Sequence, residues 1–169
     1  MMKIVTILLL VSSSLITHAQ TKFSTKGISV VLPAGFETTN THNSEFASFI
    51  KDERVLISFA DACSEILKKK KFPENQFTID VCYRIFFIKW KAIYDPTWVK
   101  EPQDTVLKKS KAKWGEFHAK IKDKEYYFIC ILIKGKKHNY QILSTGHLEH
   151  KKADVELLKS VIQSYKEVK

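Results

Sequence analysis

Glycine is scarce in this chain, five in 169 residues, and none falls in a run that could cradle a phosphate. Arginine is scarcer: of 28 basic residues, Arg54 and Arg84 are the only arginines. Specific nucleic-acid readers rely on the bidentate arginine fork, so no nucleic-acid partner is expected. The three cysteines form no Cys-x-x-Cys pair, which leaves a thioredoxin-type redox centre without support. Neither Ser144 nor Ser160 lies in a Gly-x-Ser-x-Gly elbow, and no His-Glu-x-x-His is present. Internal repeats and low-complexity tracts are absent. No motif calls for a cofactor. Beyond Ala19 no apolar run approaches the roughly 20 residues that cross a bilayer.

The first nineteen residues carry the clearest signal. Lys3 precedes an apolar stretch from Ile4 to Val11, a Ser-rich region follows, and the segment ends Thr17-His18-Ala19. That order of charge, apolar core and small residue is the pattern of a secretory signal peptide, with cleavage expected after Ala19. A membrane anchor would need a longer run, and Ser12, Ser13 and Ser14 interrupt it. No cysteine follows the cleavage point to accept a lipid. Residues 1–19 are therefore expected to be removed, leaving 20–169 as a single exported domain, periplasmic or extracellular, with no transmembrane segment.

Hydrophobic residues make up 44% of the chain and aromatics 12%, enough apolar surface to build a core rather than a disordered linker. The net charge of +10 rests mostly on lysine. Clusters fall at Lys68-Lys69-Lys70-Lys71, between Lys108 and Lys113, between Lys120 and Lys124, and between Lys134 and Lys137. A basic surface suits anionic lipid, acidic glycan or an acidic envelope protein, and Lys68 to Lys71 are candidate binding residues. The alternative is that lysine simply solvates exposed faces.

Cys63, Cys82 and Cys130 all follow the leader, in a compartment where disulfides persist. Their odd number leaves at least one thiol unpaired within the chain. Cys130 sits in the apolar run from Tyr126 to Ile133 and should behave as a small buried hydrophobe. Cys63 and Cys82 could be bridged; three buried thiols are the alternative.

Residues 27–32 read as a strand closed by the turn Pro33-Ala34-Gly35. Residues 44–51 and 55–60 read as a hairpin, and 61–71 turn helical. From Phe77 onward, Phe77, Val81, Ile85 and Ile88 share one helix face, with Cys82, Phe86, Trp90 and Ile93 on an adjoining one. This helix is apolar over much of its girth and stops at Asp95-Pro96. Lys113 to Ile121 alternate, with Phe117, Ala119 and Ile121 on one side. Two further strands follow across short turns, giving an antiparallel meander. Val155, Leu158, Val161, Ile162 and Tyr165 then mark an amphipathic helix that must cover a sheet face. The class is α+β, an antiparallel sheet flanked by helices.

The stretch Ile28-Ser29-Val30-Val31-Leu32-Pro33-Ala34-Gly35-Phe36 resembles the opening strand and turn of the PsbP-like and Mog-type α/β/α sandwich domains. Trp114-Gly115-Glu116-Phe117-His118-Ala119 is similar to their central strand, and Leu158 to Tyr165 to their closing helix. The resemblance spans residues 27–166. It implies a curved antiparallel sheet with helices on both faces and a non-catalytic role as adaptor, chaperone-like subunit or envelope accessory protein. It supplies no catalytic residues to carry over.

Chemistry has few places to reside. His147-Leu148-Glu149-His150, with Asp154 nearby, offers two imidazoles at i, i+3 that could join a metal site; a solvated strand-to-helix loop is the plainer reading. His118 points away from the face of Phe117 and Ala119, as a surface histidine or a general base. Trp98, placed in a loop after Asp95-Pro96, is the aromatic expected to be exposed. Two function classes result: an exported binding or accessory protein, for which a peptide or lipid groove between the Phe77 helix and the sheet is one form, or a small envelope hydrolase or metal-binding protein using His118 or the His147/His150 pair.

Overall fold

The computed structural model describes residues 20–25, 28–39, 46–62, 78–136 and 139–168. Residues 1–19, Gly27, Cys63, the Lys68 to Lys71 cluster and Phe77 lie outside them. In chain order the strands are β1 (Thr21–Thr25), β2 (Ile28–Leu32), β3 (Phe36–Thr39), β4 (Phe46–Lys51) and β5 (Val55–Ala62). Helix α1 (Ile79–Tyr94) leads into β6 (Pro96–Leu107), β7 (Ser110–Ile121), β8 (Lys124–Lys134) and β9 (Asn139–His147). A 3-10 turn at Leu148–His150 enters α2 (Lys151–Ser164), and β10 (Lys166–Glu167) closes the order.

Seven strands form one antiparallel sheet in the order β3-β4-β5-β9-β8-β7-β6, and β1-β2-β10 form a smaller one. The expected hairpin and meander are both present, as β4-β5 and β7-β8-β9. The apolar run of β8 explains why layers form on both sides. Tyr127, Ile129, Ile131 and Ile133 pack with β2 and with Leu158, Val161 and Ile162 of α2. Phe128, Cys130 and Leu132 pack with Cys82, Tyr83, Phe86 and Phe87 of α1. A strand covered on both faces needs no polar alternation, and this one has none. The α+β class with helices on either face is as expected.

Helix α1 begins at Thr78, whose hydroxyl accepts from the Val81 amide at 3.3 Å. It ends at Asp95 in the left-handed region, before Pro96. Its seat depends on Gly115 of β7. A Cβ there would come within 2.6 Å of the Tyr83 hydroxyl, 3.2 Å of Phe87 and 3.3 Å of the Lys100 carbonyl. The bare backbone admits Tyr83, which donates to the Cys130 carbonyl at 2.8 Å and pins the helix to β8.

Four expectations are corrected. The face of α1 carrying Val81, Ile85 and Ile88 is turned to solvent, and the adjoining face of Cys82 and Phe86, with Tyr83 and Phe87, is the buried one. Ile93, placed on that adjoining face, is also exposed. Asp61 and Ala62 finish β5 rather than starting a helix, the remainder of 63–71 lying outside the described residues. Trp98 is on strand β6, not in a loop. The ladder pairs it with His118, and its prolines and polar residues conceal the strand pattern.

Candidate functional site

Three places gather side chains able to do chemistry or bind. The first is the outer face of α1. Sixteen residues of helix bury one side, and the i, i+4, i+7 row Val81, Ile85 and Ile88 is left 39%, 36% and 59% exposed. Ala92 continues the row and is exposed too, and Ile93 beside it is open. Arg84 and Lys89 flank the row, exposed and without an ion-pair partner among the described residues. Lys91, by contrast, holds Glu101 at 3.0 Å, and Asp80 holds Lys113 at 2.6 Å. The Lys113 hydrogen bond is the main reason the Asp80 carboxyl lies below its ordinary range.

The second place is the opposite face of the β6-β7 hairpin, where α2 begins. Trp98 stacks on His118 with ring centres 4.4 Å apart. Lys151 sits 5.2 Å from the Trp98 ring centre, donates to Glu116 at 3.1 Å, and lies 3.1 Å from His118 Nε2. An ammonium has only protons to offer, so the imidazole accepts at Nε2 and carries its own proton on Nδ1. Burial, and next the Lys151 charge, lower the His118 pKa below its usual value.

The third place is a depression of about 750 Å³ at the end of the sheet, between the β4-β5 turn, the β7-β8 turn and the entry to α2. Asp52, Glu53, Glu125 and Glu149 bring carboxylates to it, with Arg54, Lys124, His147 and His150. Beneath it Asp154, fully buried, meets Arg54 Nε at 3.2 Å and accepts from the Tyr127 hydroxyl at 3.1 Å. Burial raises the Tyr127 pKa. The close approach of β9 to the β4-β5 turn needs Gly146, because a Cβ there would stand 2.5 Å from the Arg54 carbonyl.

The residues singled out from sequence distribute unevenly over these places. Trp98 and His118 meet at the second. His147 and His150 both border the third, but His147 lies tilted on the Tyr126 ring and His150 Nε2 faces Glu149 at 3.5 Å. Among the described residues no three His, Cys, Asp or Glu side chains are grouped to hold a metal. Cys82 is buried in α1, and its partner in the suggested bridge, Cys63, lies outside the described residues, as do Lys68, Lys69, Lys70 and Lys71. Cys130 is a free, fully buried thiol, its pKa raised by desolvation. Sequence reasoning missed Lys151, Glu116 and Arg54 altogether. The ladder register that brings Glu116 and His118 to one face was readable; Lys151 reaches them only through the tertiary packing of α2.

No family model matches the chain, and no curated protein is similar to it. Solved structures are. Cyanobacterial PsbP from Synechocystis superposes with a TM-score of 0.61 at 8% identity, over 92% of this chain and 96% of that one. The Ran-binding protein Mog1p of Saccharomyces cerevisiae gives 0.58 at 11%, over 89% and 97%. LpqN of Mycobacterium tuberculosis, described as involved in cell envelope biogenesis, gives 0.55 at 6%, over 88% and 90%. The chain also spans about half, 49%, of a longer Bacteroides thetaiotaomicron chain of the same fold. The PsbP/Mog-type fold read from the three short sequence stretches is the fold observed.

Proposed function

We propose that this chain is an exported, non-catalytic accessory protein that binds another protein of the bacterial cell envelope. The observation that carries the reading is the exposed aliphatic row of α1, Val81, Ile85 and Ile88, on a helix whose other side packs on the sheet through Cys82, Tyr83, Phe86 and Phe87. Aliphatic side chains gathered on one exposed face lose water favourably on docking, at about 25 cal/mol per Å² of apolar surface. The leader over residues 1–19 supplies the compartment. Proteins sharing the fold include one described as Ran-binding and one described as acting in envelope biogenesis, which agrees with a binding role. The experiment is affinity capture from the native envelope with Ile85→Ser and Ile88→Ser variants as controls. A protein recovered with the native chain in stoichiometric amount supports the reading; recovery of none overturns it.

The hydrolase reading has one specific observation on its side, a half-exposed neutral imidazole at His118 beside a carboxylate. Its weakness is in the same geometry. The one lone pair a neutral imidazole could use as a base is the one facing Lys151. Alanine at His118, His147 and His150 decides between the readings. Loss of a biological activity at unchanged melting temperature would establish the enzyme.

A further inference from the structure

The exposed row of α1 has a spacing that says more than that it is apolar. Val81, Ile85, Ile88 and Ala92 follow one another at four, three and four residues, the alternation of d and a positions in a heptad. The buried residues Cys82, Tyr83, Phe86 and Phe87, with the partly buried Trp90, occupy the far side, so the seam faces away from the sheet. Arg84 then falls at g and Lys89 at the following e, the positions that choose a partner by charge. Both are cations, and neither has an ion-pair partner among the described residues. A second copy of this helix is thereby disfavoured in either direction. In a parallel pair Arg84 would face Lys89 of the other chain. In an antiparallel pair g positions face g positions, so Arg84 would meet Lys91 or Arg84 of the other chain, a cation in either register. Like charges at these contacts are destabilising.

We propose that α1 is the docking helix for an amphipathic helix of a different protein, one that presents aliphatic residues at a and d and carboxylates at e and g. The proposal rests on the protein-binding role given above and names the site and the chemistry of the partner. The seam is two heptads long, so the contact is a short helix-on-helix one whose charges set specificity and rate as much as affinity.

The test uses two synthetic three-heptad peptides with leucine at a and d, one with glutamate at e and g and the other with lysine. Each is labelled and titrated with the purified protein at low salt, read by fluorescence anisotropy. The glutamate peptide binds, the lysine peptide does not, and binding weakens severalfold as salt is raised. Ile85→Ser with Ile88→Ser abolishes binding while leaving the melting temperature unchanged, because both side chains are exposed. Arg84→Glu with Lys89→Glu reverses the preference between the peptides. Equal binding of the two peptides, or a preference that survives the charge reversal, overturns the proposal. So does a concentration-dependent dimer that the Ile88→Ser change dissolves, which would make the occupant a second copy. Sedimentation with anionic vesicles, lost in the same variant while neither peptide binds, would assign the face to a membrane surface instead. An envelope protein captured equally well by the native chain and the Ile85→Ser, Ile88→Ser variant would keep the accessory role and remove α1 as its site.

Discussion

A buried carboxylate is costly unless it is both paired and hydrogen-bonded, and Asp154 is fully buried in the middle of the fold. The Tyr127 hydroxyl of β8 donates to its Oδ2 at 3.1 Å, and Arg54 Nε from β5's leading turn stands 3.2 Å from Oδ1 as an ion pair without hydrogen-bond geometry. Asp154→Ala removes the acceptor and leaves Tyr127 buried without one, so it should cost roughly 2–3 kcal/mol in urea unfolding. Tyr127→Phe removes one hydrogen bond and should cost roughly 1 kcal/mol. The Arg54 side chain is 31% exposed, so solvent recovers part of its interaction, and a cost for Asp154→Ala no larger than that for Tyr127→Phe would show the carboxylate to be structurally idle. His118 makes a pH prediction. Its folded pKa lies below the ordinary 6.5, chiefly through burial and then through Lys151. The unfolded chain therefore takes up the proton first, and stability should fall as pH drops below about 6.5 towards the folded value. His118→Gln should flatten that part of the stability profile; an unchanged slope would place the titration elsewhere.

At the scale of elements, the hairpins are closed without the expected glycine. Lys108-Lys109 and Lys122-Asp123 each join strands as two-residue turns with both φ angles positive, between 48° and 69°. Such turns favour Asn-Gly, since side chains resist that region. Replacing Lys122-Asp123 by Asn-Gly should stabilise by about 0.5–1 kcal/mol, measured as a shift in urea midpoint; a loss would mean the native pair makes contacts that outweigh its strain. These same elements show what a sequence can disclose. The β8 run, the alternation of β7 and the periodicity of α2 were legible because each buries a full face. Strand β6 was not, since it is the sheet edge, and its Pro96, Lys100 and Pro102 blunt the pattern along with the ladder. Helix α1 was legible as a helix but not in its orientation. Two apolar rows compete there, and aromatic bulk at Tyr83, Phe86 and Phe87 decides which is buried, matched by the space Gly115 leaves. The site beside Trp98 was half legible: His118 and Glu116 share a strand face, whereas Lys151 arrives from a helix 33 residues on.

Over the whole molecule, covalent state and charge distribution each have a measurable consequence. If Cys63 and Cys82 are bridged, denatured protein from an oxidising compartment should give one free thiol, that of Cys130, and the closed loop of about 20 residues should contribute roughly 3 kcal/mol. Three free thiols would exclude the bridge. Charge is organised by the sheet. Because β7 and β8 run antiparallel with Ala112 opposite Ile133, the lysines of the 108–113 cluster lie beside Lys134 and Lys136 at one end. Those between Lys120 and Lys124 lie at the far end of β7, more than about 20 Å away at 3.3 Å per residue. There the carboxylates of Asp52, Glu53, Glu125 and Glu149 stand among them, and Lys120 holds Asp123 at 3.3 Å. Among the described residues, Lys113 at the first end is held by Asp80 and Asp104 while Lys109, Lys111 and Lys134 have no ion-pair partner, and at the other end lysines and carboxylates are mixed. A polyanion should engage the first end alone. Retention on an acidic polysaccharide at low salt should fall when Lys109, Lys111 and Lys134 are changed to Gln, and hold when Lys120, Lys122 and Lys124 are. The attraction should fade by physiological ionic strength, where exposed charges are screened beyond about 8 Å. Equal losses from the two triple variants would mean that retention follows net charge alone, and the basic end would then be a solvated face rather than a binding surface.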